Sequence, residues 1–327
     1  MNLVGYDDIR AAAQRIGPHV VRTPLVPVTW GDPERPLWLK PENLQPIGAF
    51  KVRGAFNAMG RLTPPERSRG VVAYSSGNHA QAVAHAAAVH RVPAHIVMPE
   101  ETPDIKVAAT RRHGASVVLC AAGERERIAH ELVESTGGVL IPPFDHPDVI
   151  AGQGTVGLEI GDDMPDVASV LVPVSGGGLA SGIGVALRTL CPTARVFGVE
   201  PEWAADTADA LRSGHLVDWP VAQRNRTIAD GLRATPSELT FAHLQRYLHG
   251  ILTVGEEEIR SAVAQLAHRA HLVAEPSGAV PLAAYWQGLT PPGPTVVVIS
   301  GGNIEPHLLN EILSAPPPST GSPAGPA

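Results

Sequence analysis

The sequence predicts an α/β protein with parallel-rich, twisted sheets and helices on both faces. Three observations predict it. Short apolar runs rich in β-branched residues alternate with Ala-rich helical segments through most of the 327 residues. The stretch from about residue 69 to 144 is a compact β-α-β-α-β-α series of its own. Proline-bearing punctuation, Thr63-Pro64-Pro65 and Pro142-Pro143, brackets that stretch.

In chain order, strands are expected at Leu37–Lys40, Val71–Tyr74, His95–Met98, Ser116–Leu119, Val170–Val174, Val196–Val199 and Thr295–Ile299. Each is a short, nearly continuous apolar run, the pattern of a strand covered on both faces. Helices are expected at Asn78–His90, Asp104–His113, Glu124–Thr136, Leu179–Leu190, Glu256–His271 and Ile304–Leu313. The organisation that follows is a large domain, 1–66 plus 147–314, with a small α/β domain, 67–146, inserted into it. A cleft is expected between them. The tail from Ala315, rich in Pro, Ser and Gly, lacks apolar residues for a core and is expected to be disordered.

Composition narrows the function classes. Apolar residues make up 44% and charged residues 17%, as in soluble globular proteins. A net charge of −7 offers no footprint for nucleic acid. The longest apolar runs, such as Ser169 to Val174, are strand-sized and too short to span a membrane. Cys120 and Cys191 lie far apart, without a Cys-x-x-Cys pair, and read as ordinary thiols of a reducing compartment. Met1 to Arg10 carries no apolar signal segment, so a cytoplasmic enzyme is expected.

Four segments carry chemistry. Ser175-Gly176-Gly177-Gly178-Leu179 follows an apolar strand and opens a helix, where converging backbone N–H groups and the helix dipole suit an anion. The spacing is neither the Walker loop nor the dinucleotide fingerprint, which makes pyridoxal phosphate a cofactor worth testing. A plain flexible turn fits the same glycines. That cofactor needs a lysine amine, and lysine occurs only at 40, 51 and 106. Lys51, in Gly48-Ala49-Phe50-Lys51-Val52-Arg53-Gly54-Ala55, starts a probable helix among small and aromatic residues, where desolvation favours a neutral amine. A helix-start lysine facing water is the alternative. Ser75-Ser76-Gly77-Asn78-His79 lies between a strand and an Ala-rich helix, and can bind a substrate carboxylate and a ring oxygen or simply cap the helix. Ser300-Gly301-Gly302-Asn303 ends an apolar strand, at the edge where open α/β sheets place ligands, and can also serve as a cap.

Together with Glu275-Pro276-Ser277-Gly278-Ala279, and with Asp8-Ile9 and Arg22-Thr23-Pro24-Leu25 near the start, these motifs stand in the order of the fold-type II pyridoxal-phosphate family. The chain most resembles its threonine/serine dehydratase and serine racemase branch, from about residue 5 to 313. The resemblance implies a two-domain fold with the active site in the interdomain cleft. It makes Lys51 the lysine that carries the cofactor as a Schiff base, with Phe50 packed on the ring and Asn78 at the ring hydroxyl. Ser175, Gly176, Gly177, Gly178 and Leu179 would hold the phosphate, and Ser300 would face the pyridine nitrogen. Ala49 departs from the pattern, where serine is commoner.

The expected reaction is β-elimination of water from L-threonine or L-serine, with Lys51 as the base and Ser75, Ser76, Asn78 and His79 at the substrate. Of three alternatives, a non-catalytic regulator that binds the cofactor is opposed by an intact Lys51, and two stay open. Serine racemisation needs a second acid/base on the opposite face, and Ser76 is the candidate. Action on 3-hydroxyaspartate needs a cation. Arg127 stands where relatives place such an arginine, although the hydroxyl expected near Ala234 is missing. Glu200, the carbonyl of Ala204 and Asp206 resemble the divalent-cation site of serine racemases and would suit Mg²⁺ or Ca²⁺. By spacing alone, Glu200 and Asp206 are also simply two solvated acids near a helix start. The family suggests a homodimer acting on a small amino acid.

Overall fold

A computed structural model describes residues 2–315. Two sheets organise the chain. The first six-stranded sheet is ordered β1-β2-β10-β7-β8-β9. Its strands are β1 (Val26–Pro27), β2 (Leu37–Pro41), β7 (Ser169–Pro173), β8 (Arg195–Pro201), β9 (Gly250–Val254) and β10 (Thr295–Ile299). All neighbours run parallel except the β1–β2 pair. The second sheet, β5-β4-β3-β6, is wholly parallel. It comprises β3 (Val71–Tyr74), β4 (Ala94–Pro99), β5 (Ser116–Cys120) and β6 (Val139–Leu140).

The expected strands are all present, because β7 and β10 are buried along their whole length and need apolar residues on both faces. β1, β6 and β9 were not foreseen. β1 and β6 have two residues each and β9 is only half-buried, so none leaves a strong apolar signal. The expected helices are found with ends shifted by a few residues. Unforeseen are Pro147–Asp163, Glu238–Tyr247 and Pro276–Tyr285, among others.

The helix Lys51–Gly60 lies between the sheets. Its Val52, Phe56 and Met59 are buried in one cluster with Val71, Ala80 and Val83 of the small sheet's side. Its opposite face meets helix Pro147–Asp163, where the Gly54 N–H donates to Gln153 Oε1 at 3.2 Å. The same cluster takes in Ile16 and Ile47 from the preceding segment and Val149 from the following one, so the small sheet packs on residues from both sides of its own stretch. No helix among the described residues is long and apolar enough to cross a membrane. Of the expected tail, 316–327 lies outside the described residues.

Candidate active site

Ligands of open parallel sheets bind outside the carboxyl ends of strands, where the strand order reverses. The large sheet reverses between β7 and β10, since β8 and β9 extend to one side of β7 and β10 returns to the other. The small sheet reverses between β3 and β6 in the same way. The segments after these four strands meet around the start of helix Lys51–Gly60. The Phe50 N–H donates to the Ser300 carbonyl at 3.0 Å, and Ala49 forms a bridge with Gly301. These two contacts fix Lys51 beside the end of β10.

Lys51 Nζ donates to the Pro143 carbonyl at 2.7 Å and stands 5.0 Å from the Phe50 ring centroid. Burial among these groups pushes its amine down to about 8. A lysine facing water would show no such shift. Phe50 in turn packs against the buried cluster of Val172, Leu179 and Val298.

The glycine turn is shaped by packing. Gly177 has φ +86°, and a side chain there would meet Leu244 Cδ1 at 2.9 Å and Thr240 Cβ at 3.1 Å. The Phe144 ring lies against Gly176, so any Cβ at that position would collide with it. Ser175 Oγ accepts from the Ala234 N–H at 2.9 Å and anchors the turn. No side chain caps the N-terminus of helix Gly178–Leu190. Its first N–H groups thus remain available to an anion, which is the condition for a phosphate cradle.

After β3, the Ser75 hydroxyl accepts from the Gly77 N–H at 3.2 Å, and Ser76 is half-buried. Asn78 is held at both ends of its carboxamide. Its Nδ2 donates to Glu275 Oε1 at 2.6 Å, and its Oδ1 accepts from Asn303 Nδ2 at 2.7 Å. His79 is buried and its Nε2 donates to the Ile141 carbonyl at 2.8 Å. Burial first, and the Lys51 charge second, lower its pKa to about 3, so the ring stays neutral. It is a neighbour that leaves Lys51 without a competing cation. Ser300 is buried at the end of β10, next to the Lys51 segment.

The structure does not bring Arg127 to this group. It is exposed on helix Arg125–Thr136 and paired with Glu124 at 2.9 Å and with Glu131 on its own helix. This is ordinary i,i+3 and i,i+4 surface pairing. Glu200, Ala204 and Asp206 gather separately beyond β8. Glu200 accepts from the N–H groups of Thr207 (3.1 Å) and Ala208 (2.8 Å), capping helix Asp206–Ser213. Asp206 Oδ2 is buried with no hydrogen-bond partner. Burial raises both carboxyls, Glu200 to about 8 and Asp206 to about 6, so neither is a freely solvated acid. Among the described residues, no group of three or more His, Cys, Asp or Glu side chains is placed to hold a metal ion.

Sequence reasoning gave no role to Pro143, Phe144, Glu275 or Asn303. Pro142-Pro143 reads as a hinge, yet its carbonyl and the next ring touch Lys51 and the glycine turn. Glu275 stands in a quoted motif, but no spacing rule shows that it reaches Asn78, 197 residues away.

Comparison with known proteins supplies the family and the fold. Residues 16–301 match the family model described as pyridoxal-phosphate dependent enzyme. The chain is 42% identical over 322 residues to an L-threonine ammonia-lyase of Thermotoga maritima, covering 95% of this chain and 79% of that protein. It is 41% identical over 316 residues to an L-threo-3-hydroxyaspartate ammonia-lyase of Saccharomyces cerevisiae, covering 94% and 96%. The solved structure of maize serine racemase superposes with a TM-score of 0.90 at 36% identity, covering 95% of this chain and 97% of that one.

Proposed function

Because the chain belongs to the pyridoxal-phosphate-dependent enzyme family, we propose that it is an ammonia-lyase, converting L-threonine or L-serine to a 2-oxo acid and ammonia by β-elimination. The observation that carries this reading is Lys51. Its amine is desolvated and lies where the segments after β6, β7 and β10 meet. The uncapped glycine turn and the doubly held Asn78 fit the phosphate and ring hydroxyl of the cofactor. When bound, pyridoxal phosphate supplies an electron sink for the pair left at the substrate α-carbon.

The chain's own groups do the rest. Lys51 would carry the cofactor, and its neutral amine would serve as the base for the α-proton. The N–H groups from Gly176 to Leu179 would hold the phosphate, Phe50 would back the ring, and Ser300 would face its nitrogen. A hydroxyl at that nitrogen moderates electron withdrawal and favours prompt elimination. Ser75, Ser76, Asn78 and His79 border the substrate, with closure of a small body, 67–146, over a larger one excluding water.

The fit of a divalent cation rests on the partnerless Asp206 Oδ2, which Mg²⁺ or Ca²⁺ held by Glu200, the Ala204 carbonyl and Asp206 would satisfy. A homodimer and a cytoplasmic setting complete the reading. Two free, buried cysteines suit the latter. The pairing of Arg127 with Glu124 and Glu131 weighs against 3-hydroxyaspartate as the main substrate. The test is a panel of L-threonine, L-serine, D-serine and 3-hydroxyaspartate, following 2-oxo acid, ammonia and enantiomer. L-Threonine or L-serine should give the fastest 2-oxo acid release. Faster formation of D-serine than of pyruvate would replace lyase by racemase.

A further inference from the structure

Lys and Arg total 25 in this chain, yet lysine stands only at 40, 51 and 106. Lys40 is buried in an ion network and Lys51 lies in the site just described. Lys106 sits on helix Asp104–Arg112 of the small sheet's side and reaches across the cleft. Its Nζ is 3.2 Å from Asp230 Oδ2 and 3.7 Å from Glu305 Oε1, both on the large sheet's side. A surface bridge of this kind is worth little as a strut. What lies behind it gives it a use.

Glu275 is buried and is the group that holds Asn78 Nδ2, and its segment touches that of Asp230, where the Gly231 N–H donates to Ser277 Oγ at 2.9 Å. Asn78 comes from the small sheet's side, whereas Glu275 and Asn303 come from the large one. Asn303 occupies Asn78 Oδ1, so the carboxamide cannot turn over while both contacts last. One Nδ2–H points to Glu275, which leaves the other for the ring oxygen of the cofactor. The charged and polar groups acting on Glu275 are Asp230, Asn78 and Lys106. Burial raises its carboxyl to about 7 and Asp230 adds to the rise, whereas the Asn78 N–H and Lys106 oppose it.

We propose that Lys106 is a positioning residue: by crossing the cleft to Asp230 and Glu305 it keeps Glu275 as the carboxylate that orients Asn78 toward the cofactor. This rests on the pyridoxal-phosphate reading above. The two partners of one ion pair then act on Glu275 with opposite sign. Loss of the Lys106 cation makes Glu275 harder to ionise, and loss of the Asp230 charge makes it easier. A bridge that merely ties the two sides together predicts the same direction for both losses.

The experiment compares Lys106→Met, Lys106→Arg, Asp230→Asn and Glu275→Gln with wild-type holoenzyme, through the pH dependence of kcat/KM and the visible absorption of bound cofactor. The acid limb should move to higher pH in Lys106→Met and to lower pH in Asp230→Asn, each by about half a unit, or roughly threefold in kcat/KM below neutrality. Lys106→Arg should restore the wild-type limb. In a Glu275→Gln background, Lys106→Met should shift nothing further. Shifts of the same sign, no shift, or a Lys106→Met shift that persists with Glu275→Gln would overturn the proposal. Should Glu275→Gln not fold, the opposed signs of the Lys106→Met and Asp230→Asn variants still decide. Wild type that binds no pyridoxal phosphate would overturn the functional reading instead. Wild type that binds it and turns over, while both variants move together, would overturn only the role of Lys106.

Discussion

At the scale of single residues, Lys51 makes the sharpest claim. Burial disfavours its ammonium form, so the folded protein gives up that proton near pH 8, where an ordinary lysine keeps it to about 10.4. Attachment of cofactor requires the neutral amine. The rate at which apoenzyme gains visible absorbance on adding pyridoxal phosphate should therefore rise as pH climbs through 8 and level off above it. An inflection near the ordinary lysine value would contradict the burial argument. Borohydride reduction followed by peptide mapping should place the label on Lys51, and a label on Lys40 or Lys106 would end its assignment. Ser76 is the second claim. Elimination needs one base, which Lys51 supplies, whereas racemisation needs a proton on the other face as well. Ser76→Ala should abolish any action on D-serine and spare most L-threonine or L-serine breakdown. A mutant that kept racemisation and lost L-dehydration would reverse the assignment of faces. Lys51, Asn78 and the glycine turn were legible as candidates because motif and local chemistry coincide there. Glu275 and Asn303 were not, since their role consists of contacts across the cleft to residues some 200 positions away.

At the scale of elements, strands such as β7 and β10 could be read because burial on two faces writes itself as apolar runs, whereas β1, β6 and β9 leave no such run. Helix Pro147–Asp163 could not. Its Gly152, Gly154, Gly157 and Gly161 lower helix propensity by about 1 kcal/mol each relative to alanine. The structure shows why they are kept. A Cβ on Gly152 would lie 2.6 Å from the Arg53 carbonyl, so the backbone of this helix runs directly on that of helix Lys51–Gly60. Close tertiary approach outweighs local preference there. The glycine turn obeys a similar constraint. Gly177→Val would place a β-branched residue at φ +86° against Leu244 and Thr240, at about 1–3 kcal/mol of strain. The turn should then open and cofactor affinity should fall, as equilibrium dialysis would register. Unchanged retention would mean that the turn is not the cradle. For helix Asp206–Ser213, chelator should lower the thermal midpoint and Mg²⁺ or Ca²⁺ should restore it, because a cation would satisfy Asp206 Oδ2. If wild type and Asp206→Ala both ignore chelator, no cation binds there.

At the scale of the molecule, segments distant in sequence are joined by a buried ion network behind the active-site helix. Arg53, two residues from Lys51 and fully buried, donates to Glu42 Oε2 at 2.7 Å and to Glu159 Oε1 at 2.6 Å. Lys40 donates to Glu159 Oε2 at 2.5 Å and to the Thr23 carbonyl at 2.6 Å. Two cations and two carboxylates thus cancel in a largely buried region. Burial alone would raise the Glu42 carboxyl, yet Arg53 and Lys40 outweigh it and hold the group below the usual carboxylate range. The sign follows: the unfolded chain takes up the Glu42 proton at its ordinary value and the folded chain only at lower pH. The stabilisation is therefore complete above the ordinary value and is lost as pH falls through the folded one. Sequence alone shows Lys40 and Arg53 as two unremarkable basic residues, because nothing local marks their shared partner Glu159, 106 to 119 positions away. The network predicts the cost of breaking it. Glu159→Gln removes one carboxylate and leaves two buried cations facing Glu42 alone, which should cost about 3–5 kcal/mol. That is a large part of the 5–15 kcal/mol typical of a folded domain. Since Arg53 and Lys51 share a helix, the loss should appear both in the denaturant midpoint and as weaker cofactor retention under native conditions. A Glu159→Gln enzyme with wild-type midpoint and wild-type retention would show that the network neither holds the fold together nor positions Lys51.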